Sequence, residues 1–231
     1  MTRLVVHAIA SAPVERAPAG LRGAALRWVP AGGLGAWVTP GDELAATLAR
    51  DDVFDHHRIV DTLFREGAHL PVRFPTVAED DAGVAALVAP REAELRGTLA
   101  RVAGRSELAL TLLWAGSQAV PGRGHAVRPA PGGPGRTFLE SKRVALAGSE
   151  DRRRTAEALA KLLEAELPVE RADVRHAICP SAEVALSTAI LAPAGQAERL
   201  KETVTLVASR LEGVRAVVSG PWPPYTFAEA A

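Results

Sequence analysis

The chain has 231 residues, 48% hydrophobic and 23% charged, which excludes disorder of the whole chain and suffices for one large core or two modest ones. Its 27 basic and 27 acidic side chains cancel, so no net field would gather nucleic acid or an anionic lipid membrane. One cysteine, Cys179, excludes an internal disulfide and a thiolate-rich zinc site, and a reducing cytoplasm is the expected compartment.

Leu4 to Ile9 reads as a first strand, ended by Pro13. The apolar stretch from Leu4 to Ala10 contains His7, is too short to span a membrane, and lacks the cationic start of a signal peptide. Ala24 to Val29 and Leu34 to Val38 read as two more strands, joined by Pro30-Ala31-Gly32-Gly33 as a hairpin loop. A helix starts at Asp51 or Asp52, carries Val53, Val60 and Phe64 at helical spacing, and stops at Gly67. Leu70 to Phe74 is short and extended, because Pro71 and Pro75 disfavour helix before them. A second helix covers residues 80–102, with Val84, Leu87, Val88, Leu95, Leu99 and Val102 as its apolar stripe. Pro90 predicts a kink or a break within it.

Leu108 to Trp114 reads as a buried strand. From Gly116 to Arg136, ten of 21 residues are Gly or Pro, a composition that cannot pack a core and predicts a loop. A third helix runs from near Arg136 to about Leu167, with a candidate interruption at Gly148-Ser149 and with Leu159, Leu162 and Leu163 on one face. The Arg152-Arg153-Arg154 run reads as a solvated face of that helix. Two strands, 169–178 and 184–192, a helix over 196–211 and a strand over 214–219 complete the chain before Gly220-Pro221. From Leu108 onward the order strand, helix, strand, strand, helix, strand is the split βαβ pattern. The fold class is therefore α+β in two domains. Residues 1–104 form a mixed α+β unit. Residues 105–231 form a modified ferredoxin-like antiparallel sheet with helices, bearing the Gly/Pro-rich insertion at 116–136 and a proline- and aromatic-rich arm at 219–227.

Few residue patterns suggest catalysis. Asp55-His56-His57, with Asp51, Asp52 and Asp61 nearby, resembles a metal-ligand cluster. Adjacent helical histidines point about 100° apart, however, so only His57 with Asp61 offers a chelating pair, and no third ligand is evident. No phosphate-binding glycine motif and no G-x-S-x-G nucleophile elbow occurs. Cys179 could pair with His176 or His7, but a lone cysteine at a strand end reads as a small apolar residue. Aromatic residues at 4% leave little for base stacking, and the last strands lack an aromatic RNA-binding pattern. No cofactor, no catalytic residue and no metal ligand is expected. A metal-dependent enzyme and an RNA-binding module remain the alternatives to a binding role.

Two segments stand out. His69-Leu70-Pro71-Val72-Arg73-Phe74-Pro75-Thr76 follows the histidine-bearing helix. Ser219-Gly220-Pro221-Trp222-Pro223-Pro224-Tyr225-Thr226-Phe227 is proline-stiffened and reads as a polyproline-like arm holding Trp222 and Tyr225 at fixed spacing. Such an arm either packs back on the body or presents rigid anchors to a partner.

The segment from Gly220 to Phe227 resembles the GPWPPYSF terminus of the GvpL/GvpF gas vesicle proteins. His57 with Leu70-Pro71-Val72-Arg73-Phe74-Pro75-Thr76 resembles that family's histidine-bearing helix and following LPVRFGT segment. Glu107 and Phe138-Leu139-Glu140-Ser141-Lys142 also match, in order, along nearly the whole chain. Pro75 stands where the family usually has Gly, Thr226 where it has Ser, and the junction strand lacks an aromatic often found after the Glu. The resemblance implies two α+β domains, the second a modified ferredoxin-like fold. It also implies an accessory role in gas vesicle formation in a prokaryotic cytoplasm, with the small hydrophobic shell protein and other gas vesicle accessory proteins as partners. The family-motif residues His57, Leu70, Pro71, Arg73, Phe74, Glu107, Gly220, Pro221, Trp222, Pro223, Pro224 and Tyr225 become the candidate partner-binding positions.

Overall fold

The computed structural model describes residues 2–115, 134–178 and 181–228. Of the Gly/Pro-rich insertion foreseen over 116–136, residues 116–133 lie outside the described residues, as does Cys179, and residues 134–136 open a helix. In chain order the strands are β1 Leu4–Ala10, β2 Arg27–Ala31, β3 Leu34–Pro40, β4 Leu70–Ala78, β5 Arg105–Trp114, β6 Val174–Ala177, β7 Val184–Pro193 and β8 Val214–Trp222. The helices are α1 Asp42–Ala46, α2 Asp52–Glu66, α3 Asp81–Val88, α4 Glu92–Val102, α5 Pro134–Glu166 and α6 Ala197–Ser209. The chain is α+β, and it divides into two compact units. The first holds residues 1–107, 191–197 and 220–231, and the second holds 108–190 and 198–219. The terminal segment thus belongs with the first unit, whereas the sequence assigned it to the second.

The first unit is built on an antiparallel sheet of order β2-β3-β1-β4. Gly32, at φ +66°, turns the β2–β3 hairpin in a conformation that a residue with a Cβ adopts reluctantly. All seven residues of β1 are buried, so this strand is covered on both faces. On one face Val5, Ala8, Leu21 and Trp37 pack with Ile59 and Leu63 of α2. Val84, Val88, Leu95, Leu99 and Val102 of α3 and α4 are buried as the predicted stripe requires, while Leu87 is half exposed. Pro90 breaks that helix as expected: a 3-10 turn over Ala89–Arg91 separates α3 from α4. The short α1 was not foreseen; five residues are too few to display a period.

Beta-strand β1 carries a bulge. Val6 faces Val38 and Ala8 faces the adjacent Trp37, so His7 is one residue too many on its side. That extra residue explains how Val5 and Ala8, three apart, enter the same core cluster. Against β4 the irregularity is larger: Ala8 pairs with Pro71 and Val6 with Thr76, leaving Val72–Pro75 out of register opposite His7. The strand β4 is accordingly longer than foreseen but interrupted at its centre, and the Phe74–Pro75 peptide bond within it is cis.

The second unit holds the ferredoxin-like sheet, in the order β6-β7-β5-β8. Each helical crossover skips one strand: β7 lies between β5 and β6, and β5 lies between β7 and β8. The helix α5 continues through Gly148-Ser149 without the foreseen interruption. Leu159 and Leu163 are buried with Ala156 and Ala160, but Leu162 is half exposed, so the small alanines complete the inner face instead. Arg153 and Arg154 pair with Glu157 and Glu150 on the solvated side. The strand β6 is shorter than its sequence suggested, because a 3-10 turn takes Arg171–Asp173. The strand β8 extends through Trp222, so Gly220, Pro221 and Trp222 are strand residues and no polyproline arm forms there.

Candidate partner-binding groove

The helix α2 does not present the stripe that Val53, Val60 and Phe64 suggested. Its buried residues are Asp52, His56, Ile59, Val60 and Leu63, while Val53 is 45% and Phe54 71% exposed. The helix is rotated so that His56 faces inward, where it meets His7. The two Nδ1 atoms stand 2.9 Å apart, which requires one proton between them and excludes a second. His7 Nε2 lies 2.8 Å from Thr39 Oγ1, which also accepts the Leu21 N–H. Burial holds both imidazoles neutral: His7 falls to about 3, helped by His56, and His56 to about 4, with the Val72 backbone opposing and His57 assisting. His69, also buried, donates its Nδ1–H to the Gly67 carbonyl and accepts the Trp37 indole N–H at Nε2, which fixes its tautomer. These histidines are structural polar contacts inside an apolar core. The sequence marked His7 within an apolar strand, His56 beside His57 and His69 before Leu70, but gave no sign that His7 meets His56.

His57 behaves differently. It does not pair with Asp61, which instead holds Arg65 at 2.8 Å. Its Nδ1 meets Tyr225 Oη at 3.0 Å, and its ring lies edge-on to Trp222 and tilted against Tyr225. Burial is the main cause that raises the Tyr225 phenol, with Asp61 and Glu107 assisting. Glu107, itself buried, accepts both the Thr226 N–H and the Thr226 hydroxyl at 2.8 Å. Pro223, Pro224 and Phe227 are buried, and the Arg101 guanidinium lies over the Phe227 ring. The terminal segment therefore packs back on the first unit, held by His57 and Glu107. Trp222 keeps 40% of its surface exposed.

The structure brings together His57, Pro71, Arg73, Phe74 and Tyr225. With Val53, Phe54 and Thr226 they line a groove of about 890 Å³ on the first unit. Leu70 is fully buried beneath it. Gly220, Pro221, Trp222, Pro223, Pro224 and Glu107 are not in its wall; Pro221 and Trp222 line a separate cleft of about 480 Å³ with Phe64 and Ser106. Val53 and Phe54 were missed as groove residues because helical spacing placed Val53 in the core. Among the described residues no group of three His, Cys, Asp or Glu is placed to hold a metal ion, and no helix is long and apolar enough to cross a membrane.

The folded chain matches solved gas vesicle F proteins over almost its entire length. The protein from Anabaena sp. PCC7120 superposes with a TM-score of 0.70 at 16% identity, covering 99% of this chain and 96% of that one. The protein from Microcystis aeruginosa superposes with a TM-score of 0.72 at 16% identity, covering 99% of both. These define an α+β protein of the gas vesicle F fold. In sequence the chain is 32% identical over 202 residues to gas vesicle protein L2 of Halobacterium salinarum, covering 75% of this chain and 69% of that one. It is 28% identical over 189 residues to gas vesicle protein L of a Streptomyces strain, covering 76% and 68%. The family described as gas vesicle synthesis protein GvpL/GvpF matches residues 4–229, and the chain belongs to that family.

Proposed function

We propose that this chain is a gas vesicle accessory protein that binds the hydrophobic shell protein and supports vesicle formation by contact alone, with no bond made or broken. Family membership supports the gas vesicle role. The observation that supports binding is the groove, where family-motif residues adjoin a Phe54 side chain left 71% exposed. A shell protein that must line a gas space exposes apolar surface before assembly, and a protein covering that surface keeps it from aggregating. The expected compartment is the cytoplasm, in association with the vesicle, and other accessory proteins are further partners. The decisive experiment co-expresses the tagged chain with the shell protein of its own gene cluster and deletes the gene in its host. Co-purification and loss of vesicles are expected. Absence of co-purification together with normal buoyant vesicles would overturn the reading. Fractionation of vesicles before and after a detergent wash separates a wall component from a transient assembly factor.

A further inference from the structure

We infer that the groove takes an apolar segment of the shell protein that carries a carboxylate, with Phe54 as the apolar contact and Arg73 as the acid's partner. This rests on the shell-binding reading above and specifies the surface and the chemistry. The lining is apolar apart from His56, His57, Arg73, the Tyr225 hydroxyl and Thr226, and it contains no carboxylate. Arg73 is exposed, and no ion pair to it exists among the described residues. Elsewhere in the first unit, Arg22, Arg27, Arg58, Arg65, Arg91 and Arg96 each hold a carboxylate. A guanidinium left single beside an exposed phenylalanine matches an occupant that is greasy and acidic, because apolar cover strengthens the ion pair it encloses.

The position of Arg73 follows from the backbone. Val72–Pro75 leave the β1 ladder opposite the His7 bulge, which places this stretch in the groove wall instead of in regular pairing. Phe74 lines the same groove, where its ring lies 5.0 Å from that of His56 and packs against the core. A second copy of this chain is a poorer occupant. Its other exposed large apolar residues, Val77, Leu87, Leu162, Leu206, Val217 and Trp222, are spread over five elements, and only Val217 and Trp222 share one.

The test places the photo-crosslinker p-benzoylphenylalanine at position 54 of the full chain and co-expresses it with the shell protein. A crosslink to an apolar shell-protein peptide containing Asp or Glu is expected. R73E should lower its yield about tenfold and R73K should retain most of it, with circular dichroism confirming that both variants fold. A crosslink to a second copy of this chain, a mapped peptide without an acid, or an unchanged yield in R73E overturns the inference. Co-purification of the shell protein without any crosslink from position 54 overturns this surface and leaves the binding function standing. Loss of both overturns both.

Discussion

Thr226 is a small residue with a large share in closing the first unit. Its backbone N–H and its hydroxyl both reach the buried Glu107 carboxylate, so the two contacts are charge-assisted. Thr226→Ala removes one donor and should cost about 1 kcal/mol in urea denaturation, whereas Thr226→Ser keeps it and should change stability by less than about 0.5 kcal/mol. Because the contact resides in the hydroxyl, Thr and Ser can serve alike at this position. The buried histidines carry a pH prediction. Unfolded, His7 and His56 take up protons below about 6.5, but folded they stay neutral until about 3 and about 4. The unfolded state therefore binds more protons across that interval, and stability falls as the pH falls. His69 and His176 are lowered by burial and act in the same direction. Asp52, Asp81 and Glu92 are held below the usual carboxylate range by Arg22, by Arg27, and by the Gly33 N–H with Arg96, so they lose their contribution only at more acid pH. The urea midpoint should already drop between about pH 7 and about pH 5; a flat profile there would refute neutral burial of these rings.

Helix and strand ends decide the next scale. Asp80 caps α3 by accepting the Gly83 N–H at 2.9 Å, and Asp80→Ala should cost about 1 kcal/mol, read from the shift in thermal midpoint. In β3, a Cβ on Gly35 would stand 2.3 Å from the Trp28 ring, which itself packs edge-on to Trp37. Gly35→Ala should therefore destabilise by about 1–3 kcal/mol, with loss of near-ultraviolet tryptophan ellipticity as its signature. At this scale much was legible in advance. The break at Pro90, the stop at Gly67 and the six-element order of the second unit all follow from local stereochemistry. The rotation of α2 was not legible. Val53 and Val60 are seven apart and look like one stripe, yet the core took Val60 with His56 and Ile59 and left Val53 exposed, with His56 meeting His7 at the bulge.

For the molecule as a whole, the proposed binding surface of the first unit is separate from the residues that carry its stability. Val53 and Phe54 are exposed and support little of the core, so Val53→Thr with Phe54→Ser should leave the unfolding free energy in urea within about 0.5 kcal/mol of the parent. The same variant should lose most co-purification with the shell protein, because an exposed apolar patch contributes mainly to association. Equal co-purification would place the contact elsewhere on the chain.

What the sequence by itself determined was the α+β class, the ferredoxin-like order of the second unit, the family, and the two motif segments, since each depends on local pattern or on residues in order. Only the tertiary structure decided that Tyr225 reaches His57 across 168 positions, that Glu107 holds Thr226, and that Pro71, Arg73 and Phe74 adjoin Phe54 in one groove. The physical reason is that such contacts join residues far apart in the chain, and the groove depends besides on a one-residue bulge and on the rotation of one helix. Both arise from how buried polar groups find partners at long range, and neither leaves a period in the chain.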